Sequence, residues 1–509
     1  MKDKKIALLG MGLENVSLAV FLYKNGVKNI ELRDKNSQPA MIGTNDGILK
    51  QIADPSSELG TTASVQDDNS VTSRFGDDYL EDLDKLDVIF RTPGIPYLTP
   101  EIQEAKKHGV VISSQIKLFF DLCPAQIIGV TGTKGKGTAS KLIQLILSKS
   151  QETRNNNQTN NKFQISNSKL EKKIAMKQWN NVYLLGNIGE TAVDKLESIT
   201  KDDIVILELS SFQLQDLDKS PHVAVITNLG EDHLDYHSDI NEYWSSKINI
   251  LKHQSKDDLA VINQDFLTTF KLAEETPASV YYFSGKNRVE NGAYVREVPG
   301  PESRVRLSKV ILTMAEIDED ICDSDELQVV GRHNLENIAA ASVVAKLCGV
   351  ETETIRDAVL EFKGLEHRLE FVAKKRGVKY YNDSYATNPI STIAAINSFK
   401  QPEILILGGS EKGIQYNDLA KEMVKKKNIK AIVYIGETGE KIASILRDKK
   451  FVGQLSPGGQ NIEEIIKVAS SLAKSGEVVL FSPASASFGL FKNYKDRGEK
   501  FKKSVLSLK

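Results

Sequence analysis

Residues 129–138 read GVTGTKGKGT. They follow the apolar run Gln126-Ile127-Ile128 and lead into Ala139, Leu142, Ile143 and Ile146, which recur at helical spacing. A strand, a glycine-rich turn and a helix start in that order leave little choice of fold. The turn's backbone N–H groups and the helix N-terminus converge on one point, where they hold an anion. The expected core is an α/β layer with a phosphate site at the strand's C-terminal end, cradled by Gly132, Thr133, Lys134, Gly135, Lys136, Gly137 and Thr138. In such a loop a lysine, here Lys136, reaches the terminal phosphates, and a hydroxyl just beyond it ligates Mg²⁺. Gly137 follows Lys136, so the hydroxyl is that of Thr138, one place late.

A chain of 509 residues is too long for one ordinary core, and typical domain sizes give about three domains. Acidic and basic residues nearly cancel, 68 against 66, so no global field recruits nucleic acid or an anionic membrane. A small-molecule partner is expected. The cysteines, Cys123, Cys322 and Cys348, form no CxxC pair, which argues for a reducing compartment and against disulfides or a thiolate metal site. No apolar run approaches the roughly 18 residues that span a bilayer, and a cytoplasmic location follows.

Short apolar, β-branched runs alternate with helical patterns at 6–9, 88–91, 126–130, 204–207, 223–228, 259–263, 379–382, 404–407, 431–435 and 478–482. That alternation predicts α/β units with mostly parallel sheets. The turn Thr92-Pro93-Gly94-Ile95-Pro96 and the neighbourhood of Gly364 divide the chain into expected domains at 1–97, 98–364 and 365–509. The outer two read as Rossmann-like and the middle one as a P-loop ATPase-like sheet. Residues 151–177 are rich in Asn, Gln, Lys and Ser and read as a polar surface insert in the middle domain.

Gly10-Met11-Gly12 closes the first strand and Asp34 ends the next, about where a ribose-binding acid belongs. Asn15 stands in place of the third fingerprint glycine, which hinders close helix–strand packing in the usual mode. The turn fits a uridine nucleotide as well as NAD. In the middle segment the strand at 204–207 delivers Glu208 to its C-terminal end, where ligands gather in open parallel sheets and where a carboxylate can hold Mg²⁺ against phosphates. A second strand ends in TNLGEDHLD, bringing His233 to the same edge. His233 and His237 lie in no HExxH pattern, so a histidine beside magnesium is expected rather than zinc.

Taken in order, RTPGIP, GVTGTKGKGT, LLGNIG, ELSSFQL, TNLGEDHLD, GRHNLENIAAA, EHRLE, NDSYATNP, LGGSEKG and SPASASFGLFKNYKDRG resemble the ATP-dependent Mur ligases of bacterial peptidoglycan synthesis. ELSSFQL and the last of these motifs are similar to the D-glutamate-adding branch. The resemblance covers nearly the whole chain outside the Asn-rich segment. It implies ligation of D-glutamate to UDP-N-acetylmuramoyl-L-alanine through an acyl phosphate, with ATP and two Mg²⁺ ions, in a cytoplasmic monomer making peptidoglycan precursors.

By the same resemblance Lys136 and Thr138 bind the ATP phosphates and the first Mg²⁺, with Glu208 and His233 as further metal ligands. Lys247 is the lysine that takes up CO₂ as a carbamate and so joins the metal site. Asn334, Asn337, Arg368 and Asp383 contact ATP. Leu13, Glu14, Asp34, Lys35, Pro93, Gly94 and Asn187 hold the UDP substrate, and Thr387, Lys412, Ser487 and Tyr494 hold the incoming glutamate. Three positions depart from the pattern: Gly137 directly after the lysine, as in folylpolyglutamate synthases; Tyr385 where a lysine is usual; and Glu14 where a small hydroxyl is usual. The competing readings are a folylpolyglutamate synthase-like ligase and a non-catalytic nucleotide-binding protein.

Overall fold

A computed structural model describes residues 1–36, 71–157, 179–187, 190–233, 236–299, 306–411, 413–487 and 491–508. It contains three sheets. The first is formed by β1 (Ile6–Leu9), β2 (Ile30–Asp34), β3 (Val71–Phe75), β4 (Val88–Arg91) and β5 (Val111–Ser113), ordered β3-β2-β1-β4-β5 and parallel throughout. That order reverses direction of travel between β1 and β4, and the crevice at such a switch point is where ligands bind. The expected boundary at residue 97 falls inside the β4–β5 crossover, which runs through the helix Pro100–Lys107.

The central sheet contains β6 (Gln126–Thr131), β7 (Val182–Gly186), β8 (Ile204–Glu208), β9 (Val223–Ile226), β10 (Leu259–Asn263), β11 (Ser279–Ser284), β12 (Gly292–Pro299), β13 (Arg306–Met314) and β14 (Ile317–Asp323). Its order is β14-β13-β12-β11-β10-β9-β6-β8-β7. The strands β6 to β11 pair in parallel, so the C-terminal ends of β6, β8 and β9 lie side by side. Behind the glycine turn, the helix Lys136–Asn157 buries Ala139, Leu142, Ile143, Ile146 and Leu147 completely, the stripe that its spacing predicts. This helix takes in 151–157, so the expected insert begins as helix rather than loop. Gln151, Glu152 and Arg154 are good helix formers, and the Arg154 guanidinium sits 4.4 Å over the Trp179 ring. The rest of the expected insert, from 158 on, lies outside the described residues.

The third sheet comprises β15 (Glu370–Lys375), β16 (Val378–Asn382), β17 (Glu403–Gly408), β18 (Ile429–Ile435), β19 (Gln454–Pro457) and β20 (Val478–Phe481), ordered β15-β16-β20-β17-β18-β19, with β15 alone antiparallel. Two apolar clusters cover its faces, one built on Tyr381, Leu405 and Ile432, the other on Tyr380, Ile404 and Val433. Burial on both faces explains why these strands read as continuous apolar runs.

By compactness the chain forms two units. One comprises Met1–Arg296, Ile311–Ile321 and Asn337–Ile355; the other comprises Glu297–Val310, Cys322–Glu336 and Arg356–Lys509. Within the first unit a single apolar cluster runs from Ile6, Leu8 and Leu18 of the first sheet's layer to Leu185, Val205 and Leu207 of the central sheet. No described helix is long and apolar enough to cross a membrane.

Candidate active site

The phosphate loop is built by two glycines with left-handed backbone and by the strand end beside it. Gly132 has φ 147° and Gly135 φ 88°, conformations that cost glycine nothing. A Cβ on Gly135 would lie 2.5 Å from Asn337 Oδ1, so the Asn337 amide sits directly against the loop. The residues after β9 hold the turn open. The Thr133 N–H donates to the Asn228 carbonyl at 2.9 Å and the Lys134 N–H to Asn228 Oδ1 at 2.9 Å, while the Thr227 hydroxyl donates to the Lys134 carbonyl. Lys136, at the helix start, donates to the carbonyls of Gly132 at 2.8 Å and Thr133 at 3.3 Å, which keeps its ammonium over the cradle. Thr138 lies in the first turn of the same helix and is buried.

Glu208, His233 and Lys247 come to this edge from three segments. Glu208 ends β8 and is buried; Oε1 accepts from Asn187 Nδ2 at 3.2 Å, and Oε2 has no hydrogen-bond partner among the described residues. A buried carboxylate oxygen without a donor is costly, and a cation is the partner that would satisfy it. His233 follows β9 with φ 54°, an uncommon conformation for a residue with a Cβ and one that gathers at functional turns. Its ring packs edge-on to Phe212 at 4.8 Å. Lys247 lies on the helix Ile240–Lys252, started by Asp239, whose side chain accepts from the Asn241 and Glu242 N–H groups.

Lys247 is 1% exposed. Burial, and then the Lys136 charge, holds its amine well below the usual lysine range, against the opposing pull of Asp232 and Glu208. Its Nζ lies 4.8 Å from the Tyr243 ring centroid. Burial pushes the Tyr243 phenol up to about 12, so it stays a donor, and it donates to Thr133 Oγ1 at 3.0 Å. A buried amine whose pKa is held low, a carboxylate with an open oxygen and a phosphate loop thus share one strand edge.

The first sheet carries a cleft of about 540 Å³ at its switch point, lined by Leu13, Glu14, Asp34, Lys35, Pro93 and Gly94 of the expected residues and by Asn36, Tyr79, Thr92 and Ile95 besides. Asp34 Oδ2 accepts from the Met11 N–H at 2.7 Å, tying the second strand's acid to the glycine turn. Asn187 lies beside Glu208 and is not among the residues lining this cleft. The expected packing penalty at Asn15 is reversed. Asn15 is fully buried, and its Nδ2 donates to the carbonyls of Leu9 and Gly10 at 3.0 Å and of Phe90 at 3.3 Å. The amide fills the space a glycine would leave and staples β1 to β4. Glu14 accepts from Gln213 Nε2 at 2.8 Å, and burial raises its carboxyl above the ordinary value.

In the second unit Asp383 and Thr387 follow β16, and Ser487 follows β20. Asp383 is buried, accepts from the Ser482 hydroxyl at 2.8 Å and the Leu369 N–H at 3.1 Å, and is pushed up to about 7, chiefly by burial. The Arg368 guanidinium sits 3.9 Å over the Tyr385 ring, and Tyr385 meets Tyr494 edge-on at 5.0 Å. Ser487 is buried and Thr387 half-buried nearby in the chain order. Asn334 donates to the Val330 carbonyl at 2.7 Å. Lys412 lies outside the described residues. Sequence reasoning missed Arg497, fully buried and bonded to Ser384 and Ser485. Its only signal was an arginine among the charges of KDRG, which reads as surface.

This combination of sheets and strand-edge chemistry is that of an amide-forming, nucleotide-dependent ligase, and the chain belongs to the Mur ligase family. The family's middle domain matches residues 130–345, and the "Mur ligase, glutamate ligase domain" matches residues 367–485. Among its relatives is the UDP-N-acetylmuramoylalanine–D-glutamate ligase of Acetivibrio thermocellus, 37% identical, with 100% of this chain and 97% of that protein covered. Enzymes of the same name from Clostridium botulinum strain 657 and Clostridium kluyveri strain NBRC 12016 are 35% and 36% identical, covering 100% and 99% of this chain and 98% and 97% of theirs.

The fold is shared with solved Mur ligases. The UDP-N-acetylmuramate-alanine ligase of Thermotoga maritima aligns with TM-score 0.53 at 17% identity, over 99% of this chain and 100% of its own. The MurF ligase of Thermotoga maritima, solved in complex with ADP, gives 0.54 at 16% identity, over 99% and 96%.

Proposed function

We propose that this protein is an ATP-dependent ligase that joins D-glutamate to the alanyl carboxylate of UDP-N-acetylmuramoyl-L-alanine, as a cytoplasmic monomer. The observation that carries this reading is the meeting of the phosphate loop, Glu208 and Lys247 at one strand edge, in a chain aligned end to end with enzymes bearing that name. Three domains divide the work: a first sheet for the uridine nucleotide, a central one for ATP, a third for glutamate.

A carboxylate is a poor electrophile, so its oxygen must first attack the γ-phosphorus of ATP, releasing ADP and leaving an acyl phosphate. The loop's N–H groups and Lys136 hold the phosphates and offset the negative charge that crowds this step. The glutamate amine then attacks the acyl carbon. The tetrahedral intermediate collapses, phosphate departs, and the amine's proton passes to solvent.

The open Glu208 oxygen, the Thr138 hydroxyl and His233 would hold Mg²⁺, two ions in all, which would neutralise charge at the transferring phosphoryl group. The low-lying Lys247 amine supports a carbamate, since only an unprotonated amine adds to CO₂, releasing one proton and yielding an anion. Arg368 and Asp383 would contact ATP, and Thr387, Lys412, Ser487 and Tyr494 would hold the glutamate carboxylates, with a charge-assisted hydrogen bond from Lys412.

Phosphate release from ATP, measured with UDP-N-acetylmuramoyl-L-alanine and a panel of amino acids and folates, tests the proposal. Release with D-glutamate alone is expected. Release with L-glutamate plus a folate would instead make the enzyme a folylpolyglutamate synthase, and no release with any pair would make it non-catalytic.

A further inference from the structure

His237 takes no part in the chemistry above, yet it touches the segments that carry Glu208, His233 and Lys247. Its ring is 3% exposed. Nδ1 lies 2.8 Å from Glu242 Oε2 and Nε2 3.0 Å from Ser211 Oγ. The carboxylate only accepts, so Nδ1 donates to it, and Nε2 pairs with the serine hydroxyl. Ser211 starts the short helix that follows Glu208 in the chain, capped by Ser210 and Gln213 in a reciprocal pair. Glu242 lies on the helix that carries Lys247. The His237 N–H closes the turn on the His233 carbonyl at 3.0 Å. The ring also meets Tyr243 edge-on at 5.3 Å, and Tyr243 reaches Thr133 of the phosphate loop.

We propose that His237 is a positioning residue whose bonds to Ser211 and Glu242 hold the Glu208, His233 and Lys247 segments in one register for cation binding. The proposal rests on the ligase reading for what those three residues do. The same segments also meet through Gln215 and Glu242, through Asn249 and the Leu214 and Gln215 carbonyls, and through Phe212 and His233. His237 adds a buried hydrogen-bonded ring that reaches all three, and side chains that orient ligands in this way are worth about 10- to 100-fold in metal affinity or activity.

The test compares wild type with His237→Ala, His237→Gln and Ser211→Ala. Mn²⁺ binding is followed by electron paramagnetic resonance, uridine nucleotide binding by calorimetry, and kcat and KM by phosphate release. His237→Ala is expected to weaken Mn²⁺ binding and lower kcat by about 10- to 100-fold, with uridine nucleotide affinity unchanged because that cleft lies on the first sheet. Glutamine can bridge a carboxylate and a hydroxyl, so His237→Gln should recover most of both losses. Ser211→Ala, which removes one bond and leaves the ring in place, should show the same two losses in smaller measure. Wild-type Mn²⁺ affinity in His237→Ala overturns the proposal. So does equal loss in the alanine and glutamine variants together with lost uridine nucleotide binding, which marks a merely structural histidine. If the wild type joins no substrate pair, the ligase reading fails, and the Mn²⁺ comparison still decides whether His237 positions the cation site.

Discussion

A single lysine on an amphipathic helix gives no signal of its role, because spacing alone marks it as a solvated charge. What distinguishes Lys247 is burial, a tertiary property, and so its role was legible only through the surrounding motif. Lys247→Ala is expected to lower kcat by about two to three orders of magnitude, the scale of removing one preorganised electrostatic group. Added formate or acetate should restore part of the rate, by supplying an anion in place of the proposed carbamate. A normal unrescued rate in that variant would end the carbamate assignment. Tyr385 makes the reverse case. Read from sequence it is a missing positive charge; in the structure its ring carries the Arg368 guanidinium at 3.9 Å, so a cation stands directly against it. Tyr385→Phe keeps that stack and should leave the glutamate KM unchanged. Tyr385→Lys sets two like charges together and should raise KM by about two- to fivefold, the scale of one exposed cation–π contact. An unchanged KM in the lysine variant would mean that the stack has no part in glutamate binding.

At the scale of elements, the strands legible in the sequence were those buried on both faces, such as β8, β17 and β20, whose apolar runs are unbroken. Among those missed, β3, β5, β15 and β19 all lie at sheet edges: β3 and β15 show mixed burial, β5 is three residues long, and β19 ends in proline; the run β11 to β14 at one end of the central sheet was missed as well. Edge strands carry weak alternation because one side answers to solvent. Asn15 shows a different limit, since a glycine fingerprint cannot reveal that an amide has replaced the missing contact with three hydrogen bonds of its own.

Strand β17 also opens with a polar exception. Glu403 is fully buried, neither carboxylate oxygen has a hydrogen-bond partner among the described residues, and desolvation pushes it up to about 8. A carboxyl whose folded value exceeds its unfolded one stabilises the fold most fully below the unfolded value, and that contribution is lost as pH rises from there through the folded value. Between about pH 4.5 and pH 8 the second unit should therefore lose stability as this group is forced towards ionisation. Glu403→Gln removes the ionisation, and should stabilise the unit by on the order of 3 kcal/mol at pH 7, with the gain fading towards pH 4.5. Thermal melts of both proteins across that range check the sign; a gain that grows as pH falls would refute the assignment.

For the whole molecule, the physical question is which parts unfold together. Three sheets were expected from the alternation of strands and helices, but a sequence does not show which of them share a core. The first and central sheets do, through the cluster that joins Ile6 and Leu8 to Val205 and Leu207, whereas the third sheet has clusters of its own on both faces. Cooperativity follows shared apolar contacts, so calorimetry should resolve two transitions rather than three. A ligand that binds only the folded form stabilises what it binds by RT ln(1 + [L]/Kd), about 2.7 kcal/mol at a hundredfold excess over Kd. Saturating uridine nucleotide, bound at the first-sheet cleft, should raise only the transition that includes the central sheet, and Glu403→Gln should raise only the other. The two perturbations thereby assign the transitions independently. If both move one and the same transition, the chain melts as a single unit, and the division of its cores does not govern its cooperativity.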